Sequence, residues 1–94
     1  MHLLNRGLLS QFILEHADAK SSVAAWVSEV EAAQWHSSAE LKQRYATASI
    51  IDAERVVFNI GGNKYRLVVR INYAVGMVFV RFVGTHQQYG RIDA

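Results

Sequence analysis

The chain has 94 residues, of which 51% are hydrophobic and 19% are charged, and its formal net charge is +2. This length predicts one domain over 1–94 and excludes two separate hydrophobic cores. Cysteine is absent, which excludes a disulfide framework and a thiolate metal site. The segment from Met1 to Gly7 lacks a basic region that leads into a long apolar run, so we expect no signal peptide and a cytoplasmic location.

Helices are predicted in the first part of the chain. Apolar side chains recur at helical spacing over 6–16, a segment that Asn5 can cap. A second apolar stripe predicts a helix that begins at a cap on Asp18 and runs to about Trp35. Because a stripe at helical spacing is usually core, Trp26 and Trp35 are interpreted as packing residues and not as a ligand platform.

A shorter helix and a connection follow. Ser37 with Glu40 three residues later matches a capping box, which predicts a helix over 38–45. The next residues, up to Arg55, are predicted to connect the two halves of the chain, with an extended piece at 49–51.

Three strands are predicted in the second half. Val56–Ile60, Tyr65–Tyr73 and Met77–Thr85 are rich in β-branched and aromatic residues. Gly61-Gly62 and Val75-Gly76 predict two-residue hairpin turns, because glycine accepts a positive φ. Arginine and asparagine interrupt this apolar half, so we expect paired strands and no membrane span. The sequence therefore predicts an α+β fold, with helices on one face of an antiparallel sheet.

The two predicted turns assign each strand residue to one face of the sheet. One face is apolar and suits the core: Tyr65, Leu67, Val69, Ile71, Val80 and Phe82. The opposite face is polar and mostly basic: Asn59, Lys64, Arg66, Arg70, Asn72 and Arg81. This register puts Arg70 directly opposite Arg81, a like-charge pair that destabilises a sheet. A phosphate between the two guanidinium groups would explain the pair, and two side chains that splay into water are the alternative.

Charge is divided unevenly along the chain. Residues 1–54 carry four cations and seven anions, a net charge of −3, whereas residues 55–94 carry six cations and one anion, a net charge of +5. This asymmetry suggests a nucleic acid or another polyanion as the partner of the second half. Solvation of a sheet face by arginine is the alternative explanation.

Residues that can move protons follow the last predicted strand. His86 titrates near neutral pH, and Tyr89, three residues later, can donate a hydrogen bond or stack on a base. RNA cleavage needs a base for the ribose 2′-OH, an acid for the leaving 5′ oxygen and cations for the transition-state charge. The other histidines lack ligand spacing, so we expect no metal. Phosphate-binding loops and dinucleotide motifs are absent as well, so we expect no cofactor.

Two segments together resemble HigB-type toxins. One is the strand pair within 56–68, with Asn-Ile-Gly-Gly-Asn-Lys-Tyr-Arg at its centre, and the other is Gly-Thr-His-x-x-Tyr over 84–89. The resemblance covers nearly the whole chain and includes the helix with Trp26 and the Leu41-Lys42 segment. It implies a RelE-like fold with a short first strand, two or three helices and a twisted antiparallel sheet of three to four strands.

The resemblance also implies an activity and partners. Members of the family are toxins of bacterial type II toxin–antitoxin pairs that cut mRNA, usually on the translating ribosome, and no metal is required. The partners implied are mRNA, the ribosome and a HigA-like antitoxin with a helix-turn-helix, while no membrane and no small-molecule cofactor is expected.

The roles implied for individual residues follow the family motif. The catalytic set is His86, Tyr89, Arg81, Arg70 and Arg66, in which the arginines hold the phosphate. The RNA-binding set is Lys64, Asn59, Asn72 and Arg91. The family typically carries Asp after this tyrosine, whereas this chain has Gly90. Gly90 is either an attenuating substitution or a neutral variation at the chain's end.

Two functions therefore remain in view. The first is a ribosome-dependent mRNA endoribonuclease that acts by 2′-OH attack, attenuated or not by Gly90. The second is a weak or inactive toxin that binds RNA or the ribosome and the HigA-like antitoxin.

Overall fold

The computed structural model describes residues 1–92, and a five-stranded sheet forms its centre. The helices lie before the sheet's main strands, apart from one short helix at its end. The elements in chain order are β1 His2–Leu4, α1 Gly7–Glu15, a 3-10 turn Ala17–Ala19, α2 Lys20–Ala32, α3 Ser38–Arg44, β2 Ser49–Ile50, β3 Arg55–Ile60, β4 Tyr65–Asn72, β5 Met77–Thr85 and α4 His86–Tyr89.

The strand order is β1-β5-β4-β3-β2, which makes the sheet mixed. β5 pairs with β4 in antiparallel and with β1 in parallel orientation. The predicted α+β class is confirmed, with five strands where three to four were expected. The two short edge strands, β1 and β2, account for the difference, and β2 falls within the extended piece predicted at 49–51.

The helices are confirmed within a few residues, but two of their predicted caps are wrong. Asn5 adopts a positive φ of 64° and donates from Nδ2 to the carbonyl of Val80 at 2.8 Å, so Arg6 occupies the N-cap of α1. Asp18 lies one residue before the cap of α2 and accepts hydrogen bonds from the Tyr65 hydroxyl. The cap at Ser37 is confirmed, since its hydroxyl accepts from the Glu40 amide at 3.3 Å.

The core lies between the helices and one face of the sheet. Trp26 is 2% exposed and meets the ring of Phe58 edge-on at 5.4 Å between centroids. Phe58 makes a second edge-on contact with Tyr45, which also packs against Trp35. Both tryptophans are therefore packing residues, as predicted, and such aromatic contacts add about 0.5–1.5 kcal/mol each beyond area burial.

The β3–β4 hairpin has a longer loop than predicted. Ile60 pairs with Tyr65 and Phe58 with Leu67, so the loop contains four residues, 61–64, in place of two. Asn63 joins the two glycines at positive φ, with a value of 77°. The ladder differs from the predicted one by two positions, and because side chains alternate with a period of two, every residue that remains in a strand keeps its predicted face. Lys64, predicted opposite Asn59 on the polar face, lies in the loop instead, and Arg66 takes its place in the ladder.

The β4–β5 hairpin contains a β-bulge that the predicted register lacks. Val69 pairs with Val80 but Val68 pairs with Phe82, which leaves Arg81 as the extra residue. One extra residue reverses the alternation beyond it. Phe82, predicted in the core, therefore lies on the opposite face, and Val83 packs against the core in its place.

Candidate nucleic-acid interface

The sheet face turned away from the core, which we call the outer face, carries most of the predicted site residues. Alternation along the strands and the ladder assign its members. They are Arg55, Val57 and Asn59 of β3, Arg66, Val68, Arg70 and Asn72 of β4, and Met77, Phe79, Arg81, Phe82 and Gly84 of β5.

The predicted Arg70–Arg81 pair is wrong, since Arg70 lies opposite Phe79 on β5 and opposite Arg55 on β3. This second neighbour does form a like-charge pair, but each guanidinium has its own carboxylate. Arg70 Nε donates to Glu54 at 2.6 Å, and Arg55 Nε donates to Asp52 at 2.7 Å. The two carboxylates therefore neutralise the basic pair from the loop that precedes β3.

Asp52 is fixed by that loop as well as by the arginine. Its carboxylate accepts from the amides of Glu54 and Arg55 at 3.0 and 2.8 Å. These two backbone hydrogen bonds, followed by the one from the Arg55 side chain, lower the pKa of Asp52 to about 2. The carboxylate thus stays ionised beside Arg55 well below neutral pH.

Arg81 is exposed, as Arg70 is, but it differs from Arg55 and Arg70 because it has no carboxylate in salt-bridge range within residues 1–92. It lines an open cleft of about 540 Å³ together with Arg70 and Arg55. The floor of this cleft includes Val68 and Phe82. An exposed cation on such a floor can bind an anion without first breaking an internal ion pair.

A second cleft extends from Arg81 toward α1 and the end of the chain. It measures about 400 Å³, and Arg91 and Gln88 line one side while Gln11 and Glu15 of α1 line the other. The structure thus brings Arg81 and Arg91, both predicted site residues, to one groove. Arg70 reaches the first cleft but is not among the residues that line the second.

Two further basic residues lie near the β3–β4 loop: Arg66 is at the other end of the outer face, and Lys64 is in the loop itself. Arg66 donates from its guanidinium to the carbonyls of Asn63 and Tyr65 at 2.9 and 3.3 Å. Lys64 Nζ lies 3.3 Å from a carboxylate oxygen of Asp18. The pKa of Asp18 is lowered, first by the hydrogen bond from Tyr65 and then by the one from Lys64. Asp18 therefore ties the hairpin to the helical layer.

Both predicted site asparagines have structural partners. The Nδ2 of Asn59 donates to the carbonyl of Thr47 at 3.0 Å, which joins β3 to the segment before β2. The Oδ1 of Asn72 accepts from the amides of Ala74 and Val75 at 3.1 and 3.3 Å. Each side chain retains hydrogen-bonding capacity beyond these contacts.

α4 presents His86 and Tyr89 directly after β5. Thr85 and Gln88 form a capping box: the Thr85 hydroxyl accepts from the Gln88 amide at 3.1 Å, and the Gln88 side chain accepts from the Thr85 amide at 2.9 Å. The His86 amide donates to the carbonyl of Lys64 at 3.2 Å. These bonds fix the start of α4 to the β3–β4 loop, so His86 is exposed at the end of the sheet that carries Lys64 and Arg66.

Gly84 allows the outer face and α4 to approach closely. A Cβ at this position would lie 2.6 Å from Phe82 Cζ and 2.6 Å from Gln88 Oε1, closer than any real contact of that kind. The ring of Phe82 and the amide that caps α4 therefore share the space that a larger residue would fill. Gly84 therefore lets β5 and α4, the helix that carries His86, lie close together.

Gly90 has no such constraint. Its φ of −63° and ψ of −14° are helical, and a Cβ would meet its nearest neighbour, the Gln87 carbonyl oxygen, at 3.4 Å. The backbone thus accepts an aspartate at this position. Within residues 1–92, the His86 ring has no carboxylate in salt-bridge range.

Sequence reasoning missed Arg55, Phe79 and Phe82 as outer-face residues. Arg55 lies an even number of residues from Asn59 on β3, so alternation assigns both to the same face and could have placed Arg55 on the outer face. Phe79 shares its face with Met77, and both are partly exposed, at 45% and 41%. Phe82 could not be placed without knowledge of the bulge.

Two further features of the described residues bear on the expectations of no metal and no membrane. No group of three or more His, Cys, Asp or Glu side chains within 1–92 has the geometry of a metal site. In the same part of the chain, the helices are too short and too polar to cross a membrane.

Comparison with known proteins identifies the family. No curated protein matches the chain. The family model of HigB toxins, described as the RelE-like toxic component of a toxin–antitoxin system, matches residues 19–92. This match spans α2 and α3 of the helical layer, the whole of the β3–β5 meander that carries the outer face, and α4. The chain therefore belongs to the HigB toxin family, the RelE-like toxic components of toxin–antitoxin systems.

Proposed function

We propose that this toxin is a ribosome-dependent mRNA endoribonuclease of a bacterial type II toxin–antitoxin system that acts in the cytoplasm. The observation that carries the proposal is the position of Arg81. The bulge holds this cation on the outer face, without a carboxylate partner among the described residues, in a cleft with Arg70. A polyanion in that cleft would supply the counter-charge that residues 1–92 do not.

The proposed reaction needs no metal. The ribose 2′ oxygen attacks the adjacent phosphorus while a base removes its proton, and the bond from phosphorus to the 5′ oxygen breaks as an acid protonates that oxygen. The products are a 2′,3′-cyclic phosphate and a 5′-hydroxyl end. His86 and Tyr89 supply the base, the acid or an orienting hydrogen bond, in agreement with their proton-transfer chemistry. Arg66, Arg70 and Arg81 hold the phosphate and stabilise its developing charge.

The remaining predicted residues extend the RNA path from both ends of the outer face. Lys64 and Asn59 lie at the end near α4, Asn72 at the opposite end, and Arg91 beside Arg81 in the second cleft. Lys64 is exposed and pairs with Asp18, whose side chain is exposed as well, and such a contact is weak in water and can yield to a phosphate.

The toxin's partner in the proposal is a HigA-like antitoxin with a helix-turn-helix. Membership of a toxin–antitoxin family supports an antitoxin in general. The second candidate function is a weakened toxin that binds RNA, the ribosome and this antitoxin without cutting. The residue at position 90 is glycine, and within residues 1–92 no carboxylate lies in salt-bridge range of His86; both observations favour this alternative.

The proposal is tested by inducing the chain in bacterial cells and mapping new 5′ ends of mRNA. We expect new ends in translated regions, with 5′-hydroxyl chemistry, and a loss of about 10²- to 10⁴-fold with His86→Ala. His36→Ala is the matched control, because this histidine is also exposed but contacts Glu40 in the helical layer. If the unaltered chain yields no new ends on translating ribosomes, the enzymatic function is wrong.

Gly90→Asp decides between the two candidate functions. If Gly90 attenuates the toxin, the aspartate variant cuts mRNA faster than the unaltered chain and arrests growth more strongly. Gly90→Asn has nearly the same shape without the charge and controls for it. Equal rates for all three chains would assign Gly90 to neutral variation, and a cutting aspartate variant beside an inert native chain would establish the weakened toxin.

A further inference from the structure

Two phenylalanines of β5 lie on the outer face in a pattern that no alternating strand would give. In Phe79-Val80-Arg81-Phe82, simple alternation would point Phe79 and Phe82 to opposite faces. The bulge changes this outcome, because Phe79 pairs opposite Arg70 and Phe82 pairs opposite Val68. Both rings therefore leave the strand on the same side, with Arg81 between them.

The ladder positions of the two phenylalanines suit two neighbouring nucleotides, with one base on each ring. They occupy ladder positions two residues apart on β4, and alternate residues of a strand lie about 6.7 Å apart. Sheets that bind single-stranded RNA use aromatic residues on one face in this way, with one base on each ring. Arg81, which lies between the two phenylalanines in the strand, would then be near the phosphate that links the two nucleotides.

The rings of Phe79 and Phe82 differ in their exposure and in what they contact. Phe79 is 45% exposed and lines an open cleft of about 430 Å³ with Leu4, Met77, Arg70 and Arg81. Phe82 is half-buried, and its Cζ would lie within 2.6 Å of a Cβ at Gly84, so the ring rests against that glycine. The first ring is thus open to a ligand and the second is held in place by the backbone.

The charges around the rings favour RNA over a protein partner. Arg81 lines all three clefts that meet on this face, and Arg70 lines two of them. Three carboxylates line these clefts: Glu54 and Asp52 are each engaged by an arginine, while Glu15 of α1 lies in the second cleft, away from Phe79. An exposed aromatic ring beside a cation that has no carboxylate partner within residues 1–92 can hold a base and its phosphate together.

We propose that Phe79 and Phe82 form a base-stacking shelf that binds two neighbouring nucleotides of single-stranded RNA, with Arg81 on the phosphate between them. This shelf rests on the proposed function, since it places the substrate of the same site. The shelf is sequence-tolerant, because every base has a π face. It would set the path of the mRNA across the outer face toward α4.

The test uses Phe79→Leu and a short 2′-O-methyl RNA, which lacks the attacking hydroxyl and stays intact. A second oligonucleotide has the same backbone with abasic sugars at two central positions. Leucine keeps the apolar surface but removes the π face. Because Phe79 is 45% exposed, the substitution should leave the fold intact. Leu14→Ala is the control, because Leu14 is 85% exposed on α1.

Phe79→Leu should weaken binding of the base-bearing RNA about 5- to 150-fold and leave the abasic RNA within twofold. Phe79→Trp should restore the affinity that Phe79→Leu loses. The slope of log affinity against log salt should be the same for the unaltered chain and both variants, because no charge is removed. Equal affinities for both proteins, or an equal loss on both oligonucleotides, would overturn the shelf. So would a loss confined to the binding of an antitoxin.

The proposed function is measured separately, by mRNA cleavage on translating ribosomes. Cleavage by the unaltered chain with no effect of Phe79→Leu on binding or cutting would overturn the shelf and leave the endoribonuclease intact. Failure of the unaltered chain to cut mRNA would remove the proposed function itself.

Discussion

The two hairpins of the sheet treat their arginines differently. In β3–β4 the ladder is regular, and Arg55 and Arg70 lie opposite each other with Asp52 and Glu54 as partners. In β4–β5 a single extra residue interrupts the ladder, and that residue is Arg81. Within the described residues Arg81 has no carboxylate partner. A phosphate must displace a carboxylate before it binds Arg55 or Arg70, whereas within residues 1–92 the bulged arginine is available without such an exchange.

The strongest test of this difference deletes one residue from each hairpin. Without Arg81, the pairs Val69–Val80 and Val68–Phe82 become consecutive, so the ladder continues and the core face is unchanged. We expect a stability change of about 1 kcal/mol or less. Deletion of Asn59 from the regular ladder turns Phe58 and Val56 to the wrong face and should cost at least about 4–5 kcal/mol. Urea unfolding measures both.

If deletion of Arg81 destabilises the chain as much as deletion of Asn59, Arg81 contributes to the fold as a regular ladder residue does, and the difference between the two hairpins is wrong.

The next largest effect concerns cleavage. Arg81→Ala should lower the rate of mRNA cleavage about 10²- to 10³-fold, the range for removal of one preorganised group from a transition-state charge. Its stability should stay within about 0.5 kcal/mol, because the side chain is exposed. Arg44→Ala is the matched control, since Arg44 pairs with Glu29 in the helical layer.

The rate of appearance of mRNA 5′ ends distinguishes the two arginines. Equal rates for Arg81→Ala and Arg44→Ala would remove Arg81 from the site.

Two glycines provide a smaller effect and a matched pair. Gly84→Ala places a methyl group in contact with Phe82 and the capping amide of Gln88 and should cost about 1–3 kcal/mol. Gly90→Ala has room and a helical φ, so it should be neutral or stabilising by about 0.4–1 kcal/mol. Thermal or urea unfolding tests the order. A Gly84→Ala protein as stable as Gly90→Ala would contradict the close approach of β5 and α4.

The smallest expected effect is on the pH dependence of the free energy of unfolding, through Asp52 in the loop that precedes β3. The pKa of Asp52 falls from its ordinary 3.8 to about 2 in the folded chain. A depressed folded pKa stabilises the protein above the unfolded value, and this contribution is lost as pH falls from about 4 to 2. Asp52→Asn should therefore flatten the stability curve over that range.

Urea midpoints between pH 2 and pH 6 measure this effect. Glu15→Gln is the control, because Glu15 forms no ion pair within residues 1–92. Curves of identical shape for the native chain and Asp52→Asn would contradict the assigned contacts.

Sequence patterns predicted the elements and the class of the fold, because apolar spacing reflects what each element must bury. They predicted the faces of β3 and β4 as well, since an error of two positions leaves alternation intact. The register of β5 was not predictable in this way. Phe82 and Val83 are both apolar, so either one can face the core, and nothing in the residues marks Arg81 as the extra one.

The candidate site was predictable in its residue types and not in its pairing. The excess of cations in residues 55–94 and the His-x-x-Tyr ending were visible in the sequence. The carboxylates that neutralise Arg55 and Arg70 come from the turn at 52–54, whose path depends on tertiary structure. The close approach of Phe82 to Gly84 is likewise a result of the bulge.

The most direct test of the central claim is a backbone NMR titration of the chain with the 2′-O-methyl RNA. The largest amide shifts are expected on 79–82 of β5 and on α4, while those of α2 and α3 should stay small. Arg81→Ala should weaken the binding that the titration measures. Shifts concentrated on the helical layer, with the β5 amides unmoved, would contradict the assignment of the outer face as the RNA-binding surface.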